Sequence, residues 1–191
     1  MKINIVGFDP STSNFGCCNA SVDINTLEIT VTGLSLHHTE SEAKKGVIKQ
    51  SDDLRRAREV REGMLEACKG AALAVSEIPF CNPQGYASAN FNSGLVTGVL
   101  ASLEIPLIQV FPKDVKIAAV GHPHAAKEEM IEWAVAKHPE APWLMRKLKG
   151  KLYPTKANEH LADALAAIYA GVRTEQFKQA MAMYRSMAAT A

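Results

Sequence analysis

The chain has 191 residues, of which 47% are apolar, and its formal net charge is +1. That length suffices for one sizeable core, and no stretch has the composition of a linker between two domains. No apolar run reaches the roughly 18 residues of a membrane span, and polar residues interrupt the N-terminus where a signal peptide is apolar. We therefore expect a single cytoplasmic domain without a membrane partner. A nucleic-acid partner would have to bind local clusters of charge.

The four cysteines do not have the spacing of a zinc site. Cys17, Cys18, Cys68 and Cys81 form no CxxC motif. Because successive side chains of a strand point to opposite faces, Cys17 and Cys18 would lie on opposite faces of a sheet. We expect reduced, partly buried thiols.

An apolar run near the N-terminus ends in an acidic residue. Residues 3–8 are too apolar for a strand with one face in water, and the turn-forming residues 10–12 follow them. This pattern predicts a central strand that places Asp9 at its C-terminal end. A carboxylate there requires compensation, and two interpretations are open: Asp9 accepts hydrogen bonds from the turn, or it binds a divalent cation.

Two further strands are predicted over residues 17–24 and 27–36, and a short turn joins them. With the first strand they form an antiparallel meander. Residues 37–53 are polar and of mixed charge, which predicts an exposed loop. Apolar residues at spacings of three and four then predict an amphipathic helix over 54–69. Its arginines are expected on the solvated faces; they are Arg55, Arg56, Arg58 and Arg61.

The rest of the chain alternates between helices and buried strands. Residues 71–78 predict a buried strand that closes with a second acidic residue, Glu77. The later pattern predicts a helix over 93–103, a strand over 106–111, and helices over 125–137, 158–172 and 174–187. A meander followed by alternating helices and strands predicts an α/β fold, with a mixed five-stranded sheet flanked by helices.

His160 and Asp163 lie three residues apart on the predicted helix over 158–172, so they share one face beside its buried stripe. With Asp9 and Glu77 they give three carboxylates and one imidazole, a donor set that suits Mg²⁺ or Mn²⁺. Each residue alone has an ordinary interpretation, as a strand-end charge, a helix cap or an early-helix acid. Their joint occurrence favours phosphodiester cleavage, in which two divalent ions about 3.5–4 Å apart activate water and neutralise charge.

Two other features could contact nucleic acid. The segment over residues 139–156 holds a basic cluster interleaved with apolar residues, which is either a solvated face or a phosphate-binding surface. The cluster consists of Arg146, Lys147, Lys149 and Lys151. The turn-rich segment over 82–92 carries Tyr86 and Phe91, which either pack in the core or stack on opened bases.

The acidic residues stand in motifs that resemble those of the RuvC-type Holliday junction resolvases, within the ribonuclease H-like superfamily. IVGFDPSTSNFG is similar to that family's first-strand motif, LAVSEIPF to its second acidic motif and HLADALAAIYA to its last. The resemblance implies that Asp9, Glu77 and Asp163 are metal ligands. It places His160 where many relatives have aspartate and some have histidine.

The same resemblance extends to residues that would contact DNA. VFPKDVKIAAVGHPHAAKEEM is similar to a family segment with two phosphate-contacting lysines, which here are Lys116 and Lys127, and Phe80 would lie near unstacked bases. It implies that Asp9 bridges two Mg²⁺ or Mn²⁺ ions, that His160 ligates an ion or orients the attacking water, and that Lys127 stabilises the phosphate charge.

The family resemblance also implies the biological unit. A nuclease domain of ribonuclease H-like fold would span residues 1–173, and residues 174–191 would be a helical extension of it. Two sites of a homodimer would cut a four-way DNA junction by paired symmetric nicks, in DNA recombination and repair. The PSTS loop, the long basic segment and the Met-rich last helix depart from the family pattern. These departures indicate a divergent branch, of bacterial or phage origin.

Three alternatives compete with junction resolution. The first is a nuclease that cuts flaps or replication forks, and the second is an architectural protein that binds junctions without cutting them. The third is an actin-like ATPase, because DPSTSNFG also resembles the first phosphate loop of that class. The ATPase would need further glycine-rich phosphate loops, and the sequence has only isolated glycines such as Gly121 and Gly150.

Overall fold

The computed structural model describes residues 1–42, 48–79 and 87–189. A five-stranded sheet forms its centre, with the strand order β3-β2-β1-β4-β5. The strands are β1 (Lys2–Asp9), β2 (Asn14–Asp23), β3 (Ile29–His38), β4 (Leu73–Glu77) and β5 (Leu107–Val110). β1, β2 and β3 pair antiparallel, whereas β4 pairs parallel with β1 and β5 parallel with β4. The predicted mixed sheet of five strands is confirmed.

Six helices and one separate hairpin complete the described chain. The helices are α1 (Lys49–Ala67), α2 (Ala87–Leu100), α3 (Pro112–Val120), α4 (Lys127–Lys137), α5 (Asn158–Gly171) and α6 (Glu175–Ala189). The hairpin consists of β6 (Met145–Leu148) and β7 (Lys151–Pro154), which pair only with each other. None of these described helices has the length and apolar character that crossing a membrane requires.

The sheet buries apolar side chains on both faces. One core lies between the sheet and helices α3 to α6, and the other lies between the sheet and helices α1 and α2. Cys18 belongs to the first core and Cys17 to the second, as the alternation of a strand requires. Burial raises the pKa of the Cys17 thiol to about 12, so this thiol is neutral and packs as a small apolar group.

Helix α5 packs directly across β1 because glycines leave room for its backbone. A Cβ atom at Gly7 would overlap the carbonyl oxygen of Ala164, and one at Gly16 would overlap the carbonyl oxygen of His160. The close approach therefore depends on the absence of side chains at these two positions. It brings the first turns of α5 over the strand end that carries Asp9.

The first helix begins earlier than the sequence predicts. α1 starts at Lys49, inside the stretch predicted as an exposed loop, and Asp52 is buried. Asp52 accepts hydrogen bonds from the Ser41 hydroxyl at 2.9 Å, from the Glu42 amide at 3.1 Å and from the Arg55 guanidinium. These partners satisfy the buried carboxylate, and the Arg55 hydrogen bonds hold its pKa below the usual range.

The prediction that every arginine of α1 faces solvent is wrong for Arg56, which is buried. Its guanidinium donates to the Thr39 hydroxyl at 2.9 Å, to the Thr12 carbonyl at 3.3 Å and to the Ser13 hydroxyl at 2.7 Å. Arg56 therefore ties the loop that follows Asp9 to the end of β3. Leu54, which begins the predicted apolar stripe, is instead 50% exposed.

Two segments take a form that the sequence did not predict. Residues after β5 form the short helix α3, with proline at its first position and Gly121 in the left-handed conformation at its end. The basic segment over residues 139–156 contains the β6–β7 hairpin. Its turn residues Lys149 and Gly150 both have positive φ, as a tight two-residue hairpin turn requires.

Candidate active site

Two of the predicted site residues lie side by side at one edge of the sheet. Asp9 is the last residue of β1 and Glu77 the last of β4. β1 and β4 are parallel neighbours with Phe8 opposite Ser76, so both strands end at the same level and in the same direction. The two carboxylates therefore meet at the carboxyl edge of the sheet.

The other two residues reach the same edge from α5. The Nδ1–H of His160 donates a hydrogen bond to Oδ2 of Asp9 at 2.7 Å. This bond raises the pKa of the His160 imidazole above its ordinary value, although burial opposes the change. Asp163 lies one helical turn further along α5, on the same face.

Glu77 and Asp163 are buried acids whose charge is poorly compensated. Burial, followed by the nearby charges of Asp9 and Asp163, raises the pKa of Glu77 to about 8. Burial, followed by the charges of Asp9 and Glu159, raises the pKa of Asp163 to about 7. The carboxylates thus repel one another in a poorly solvated place, which is an arrangement that favours binding of a cation.

The two predicted lysines flank this cluster. The positive charge of Lys116 lowers the pKa of both Glu77 and Asp163, although burial outweighs it. The Nζ of Lys127 donates to Oε1 of Glu159 at 2.6 Å. This hydrogen bond, with a smaller contribution from Asp163, raises the pKa of Lys127. Both lysines therefore carry positive charge beside the carboxylates.

Glu159 is a site residue that the sequence analysis missed. Its side chain is 19% exposed, and its Oε1 lies 3.9 Å from Nε2 of His160 in addition to its contact with Lys127. The signal was present, because Glu159 stands four residues before Asp163, a spacing that places both side chains on the same face of α5.

The donor set suits a hard divalent cation. Asp9, Glu77 and Asp163 offer carboxylate oxygens and His160 an imidazole, as Mg²⁺ and Mn²⁺ sites do. Burial and the neighbouring carboxylates raise the pKa of Glu77 and of Asp163, and both causes favour a cation at this place. Across the described residues, no group of three or more His, Cys, Asp or Glu side chains is close enough together to hold a metal ion as it stands. These four residues would hold one only after their side chains rearrange, including release of His160 from Asp9.

Apart from Lys116 and Lys127, the residues predicted to bind DNA fall into three groups. Phe80 and Tyr86 lie outside the described residues. Phe91 lies on α2 with 49% of its surface exposed, so it is not a core residue. Arg146, Lys147 and Lys149 are exposed members of the β6–β7 hairpin.

Comparison with known proteins places the fold. No protein-family model matches the chain, and no curated protein sequence matches it. The solved structure of Thermus thermophilus RuvC in complex with a Holliday junction substrate matches with a TM-score of 0.64 at 20% identity, over 94% of this chain and 96% of that one. A second structure of Thermus thermophilus RuvC matches with a TM-score of 0.58 at 22% identity, over 95% and 97% of the two chains. The chain therefore has the RuvC fold along nearly its whole length, and the predicted ribonuclease H-like fold is confirmed.

Proposed function

We propose that the protein is a metal-dependent endonuclease that resolves four-way DNA junctions in recombination and repair. One observation carries this proposal: on a RuvC fold, Asp9, Glu77 and Asp163 converge with His160 at the carboxyl edge of the sheet, and burial and mutual repulsion raise the pKa of Glu77 and of Asp163. A buried acidic cluster of this kind lowers stability unless a cation joins it. Its presence is therefore best explained by function.

The four residues have distinct roles in this proposal. Asp9, Glu77 and Asp163 would hold the two Mg²⁺ or Mn²⁺ ions through their carboxylate oxygens. These ions, when bound, activate water and neutralise charge at the phosphorus and the leaving oxygen. His160 would act as a further ligand or hold the attacking water, because its imidazole already lies against the Asp9 carboxylate.

Lys116 and Lys127 would bind the phosphate at the cut. Lys116 lies close enough to Glu77 and Asp163 to alter the pKa of both, so a phosphate held there would be beside the carboxylates. Lys127 would exchange its contact with Glu159 for a phosphate oxygen. Two ammonium groups near the cluster would oppose the repulsion between DNA and the acidic site.

The partner in this proposal is four-way junction DNA, bound by a homodimer. One solved structure with this fold contains a Holliday junction substrate. A two-fold dimer would place two sites on strands of like polarity, which paired nicks require. Phe80, Tyr86 and the exposed Phe91 are proposed to stack on opened bases.

The test is cleavage of a synthetic four-way junction with Mg²⁺, with Mn²⁺ as a second condition. Wild type is compared with Asp9→Asn and with Asp114→Asn, which removes an exposed aspartate of α3 as a matched control. Flap and linear duplex substrates are run alongside. We expect paired symmetric nicks in the junction that Asp9→Asn abolishes without loss of binding and that Asp114→Asn leaves intact.

Other outcomes identify the alternatives. Equal cutting of flaps and junctions would make the protein a broader branched-DNA nuclease. Junction binding without cleavage under both metals would refute the endonuclease proposal and favour the architectural protein.

A further inference from the structure

The β6–β7 hairpin concentrates the positive charge of a nearly neutral chain. Residues 145–156 contain five cationic side chains and no acidic one, although the net charge of the whole protein is only +1. All five are exposed, and no acid in the described chain forms an ion pair with any of them. They are Arg146, Lys147, Lys149, Lys151 and Lys156.

The strand pairing keeps these charges unneutralised. Arg146 is opposite Tyr153, Lys147 is opposite Leu152 and Lys151 is opposite Leu148, so each of these three cations faces an uncharged partner. Alternation of side chains puts cations on both faces of the hairpin. A two-stranded ribbon has the width that the major groove of duplex DNA admits, with phosphates on either side of it.

A buried asparagine fixes the base of the hairpin to the start of α5. The Nδ2 of Asn158 donates to the carbonyls of Leu144 at 2.8 Å and Thr155 at 3.1 Å, and its Oδ1 accepts from the Leu144 amide at 2.9 Å. Asn158 is completely buried and stands two residues before His160. The hairpin therefore projects in a set direction from the helix that carries His160 and Asp163.

We propose that the β6–β7 hairpin is an arm that binds the phosphate backbone of duplex DNA next to the active site. The inference rests on the proposed function for the identity of the nucleic acid. An isolated two-stranded ribbon is marginally stable by itself. The Asn158 hydrogen bonds, which form a clamp at the base of the hairpin, hold the ribbon in one orientation, while both of its faces and its tip stay exposed. Five cations with no acid among them complement the negative charge of the DNA backbone. The arm would contribute binding, and the carboxylate cluster would carry out cleavage.

The test uses a triple variant with Lys147→Gln, Lys149→Gln and Lys151→Gln in the full chain. Binding to a four-way junction is measured without divalent metal over a range of salt concentrations. We expect the slope of log affinity against log salt to fall by about 2–3 and the affinity at low salt to fall by about 10- to 100-fold. A control triple variant removes the same charge from other exposed lysines, Lys69, Lys137 and Lys178, and should keep the wild-type slope.

The arm and the nuclease can fail separately. The proposal that the hairpin binds DNA would be refuted if the folded triple variant kept the wild-type salt slope. It would also be refuted if the control variant lost as much of the slope as the triple variant. A triple variant that loses dimers in sedimentation and binds DNA normally would refute it too, because the hairpin would then be a protein contact. A wild type that binds through the hairpin and never cuts would contradict only the nuclease.

A second inference rests on a different contact, between Lys127 and Glu159. The Lys127 side chain is 72% exposed, yet its Nζ lies 2.6 Å from a Glu159 carboxylate that is only 19% exposed. Glu159 also raises the pKa of Asp163, so it adds negative charge where DNA phosphate must arrive. We infer that Glu159 is a positioning residue that holds Lys127 in the DNA-free protein and competes with phosphate for it. This inference also rests on the proposed function.

The test is the junction affinity of Glu159→Gln without divalent metal. We expect affinity to rise by about 3- to 10-fold, the opposite of what structural damage would cause. In a Lys127→Met background the same change should give no gain. Glu128→Gln removes an exposed charge beside Lys127 and should have a smaller effect. No gain in Glu159→Gln, or an equal gain without Lys127, would refute this role and leave the nuclease proposal untouched.

Discussion

Two charged regions of this molecule differ in how much the repulsion between their like charges destabilises the folded protein. The acidic residues Asp9, Glu77 and Asp163 lie at a poorly solvated sheet edge, and the pKa values of the last two rise to about 8 and about 7. The cations of the β6–β7 hairpin stand in water on both sides of a ribbon. Like charges repel weakly where water screens them and strongly where it is excluded. Removing a charge from the acidic region should therefore lower cleavage activity and raise stability. Removing a charge from the hairpin should change DNA binding and leave stability unchanged.

The largest expected effect is the loss of activity in Asp163→Asn. DNA cleavage should fall by at least about 10³-fold, because a neutral amide replaces a proposed metal ligand. The metal-free protein should become more stable by about 1–3 kcal/mol at about pH 8, since the buried repulsion is removed. Cleavage assays and thermal unfolding in a chelator measure the two effects. A variant that loses both activity and stability would show that Asp163 stabilises the fold. The acidic region would then not be the destabilising region that the comparison with the hairpin assumes.

Gly7→Ala should give the next largest effect, on the contact that assembles the acidic region. The new Cβ atom would overlap the Ala164 carbonyl oxygen and push α5 away from β1. We expect the free energy of unfolding to fall by about 3 kcal/mol, in addition to reduced cleavage. Gly33→Ala is the control, because its nearest neighbouring atoms belong to Asn19 at 3.8 Å or more, and it should change stability by less than about 0.5 kcal/mol. Equal unfolding midpoints for the two variants would contradict the role of close packing at Gly7.

Asn158→Ala tests the clamp that joins the two regions. The change leaves the amide and carbonyl of Leu144 without their side-chain partners, which should cost about 2–3 kcal/mol of stability. Asn158→Asp would place a buried carboxylate oxygen against the carbonyl oxygens of Leu144 and Thr155, so we expect a loss at least as large. Chemical denaturation ranks the variants by their free energy of unfolding. Junction affinity shows whether the hairpin still contributes to DNA binding. Wild-type stability in both variants would mean that the hairpin needs no clamp.

The pH dependence of stability should be smaller and should arise from the acidic region. A carboxyl with a raised pKa in the folded state binds protons more tightly there than in the unfolded chain, so its contribution to stability is lost as pH rises. For Glu77 the loss extends from its ordinary pKa near 4.5 up to about 8. We expect the metal-free protein to lose about 2 kcal/mol between about pH 5 and pH 8. The raised pKa of His160 acts in the same direction, and the lowered pKa of His37 acts against it.

Glu77→Gln should flatten this profile, and Glu62→Gln, at an exposed position on α1, should not. Thermal unfolding of the three proteins across that pH range measures the difference. Stability that rises with pH in the metal-free wild type would contradict the buried repulsion at Glu77.

The smallest expected change in stability is that of Lys147→Gln in the hairpin. Because Lys147 is exposed, the free energy of unfolding should stay within about 0.5 kcal/mol of wild type. The salt slope of junction binding should nevertheless fall by about 1. A titration of binding against salt, with unfolding measured in parallel, checks both numbers. A large loss of stability would show that hairpin charges are not simply solvated.

The sequence predicted the parts of the site that local patterns specify. Asp9 and Glu77 were found because each closes an apolar run, and His160 and Asp163 because they are three residues apart on a helix. Glu159 was missed because its interest lies in a partner, Lys127, that is 32 residues away along the chain. Arg56 was misplaced for the same reason, since its hydrogen-bond partners come from the loop after β1 and from the end of β3.

The sequence by itself determined the mixed five-stranded sheet, most of the helices that flank it and the identity of four chemically suited side chains. Those features follow from periodicity and from the residues that end each run, which are local properties of the chain. Only the tertiary structure decided that Asp9 and His160 are in hydrogen-bond contact and that Glu77 and Asp163 are buried enough to resist ionisation. Burial and charge repulsion depend on which elements pack together, and here that packing depends on the space that Gly7 and Gly16 leave for α5.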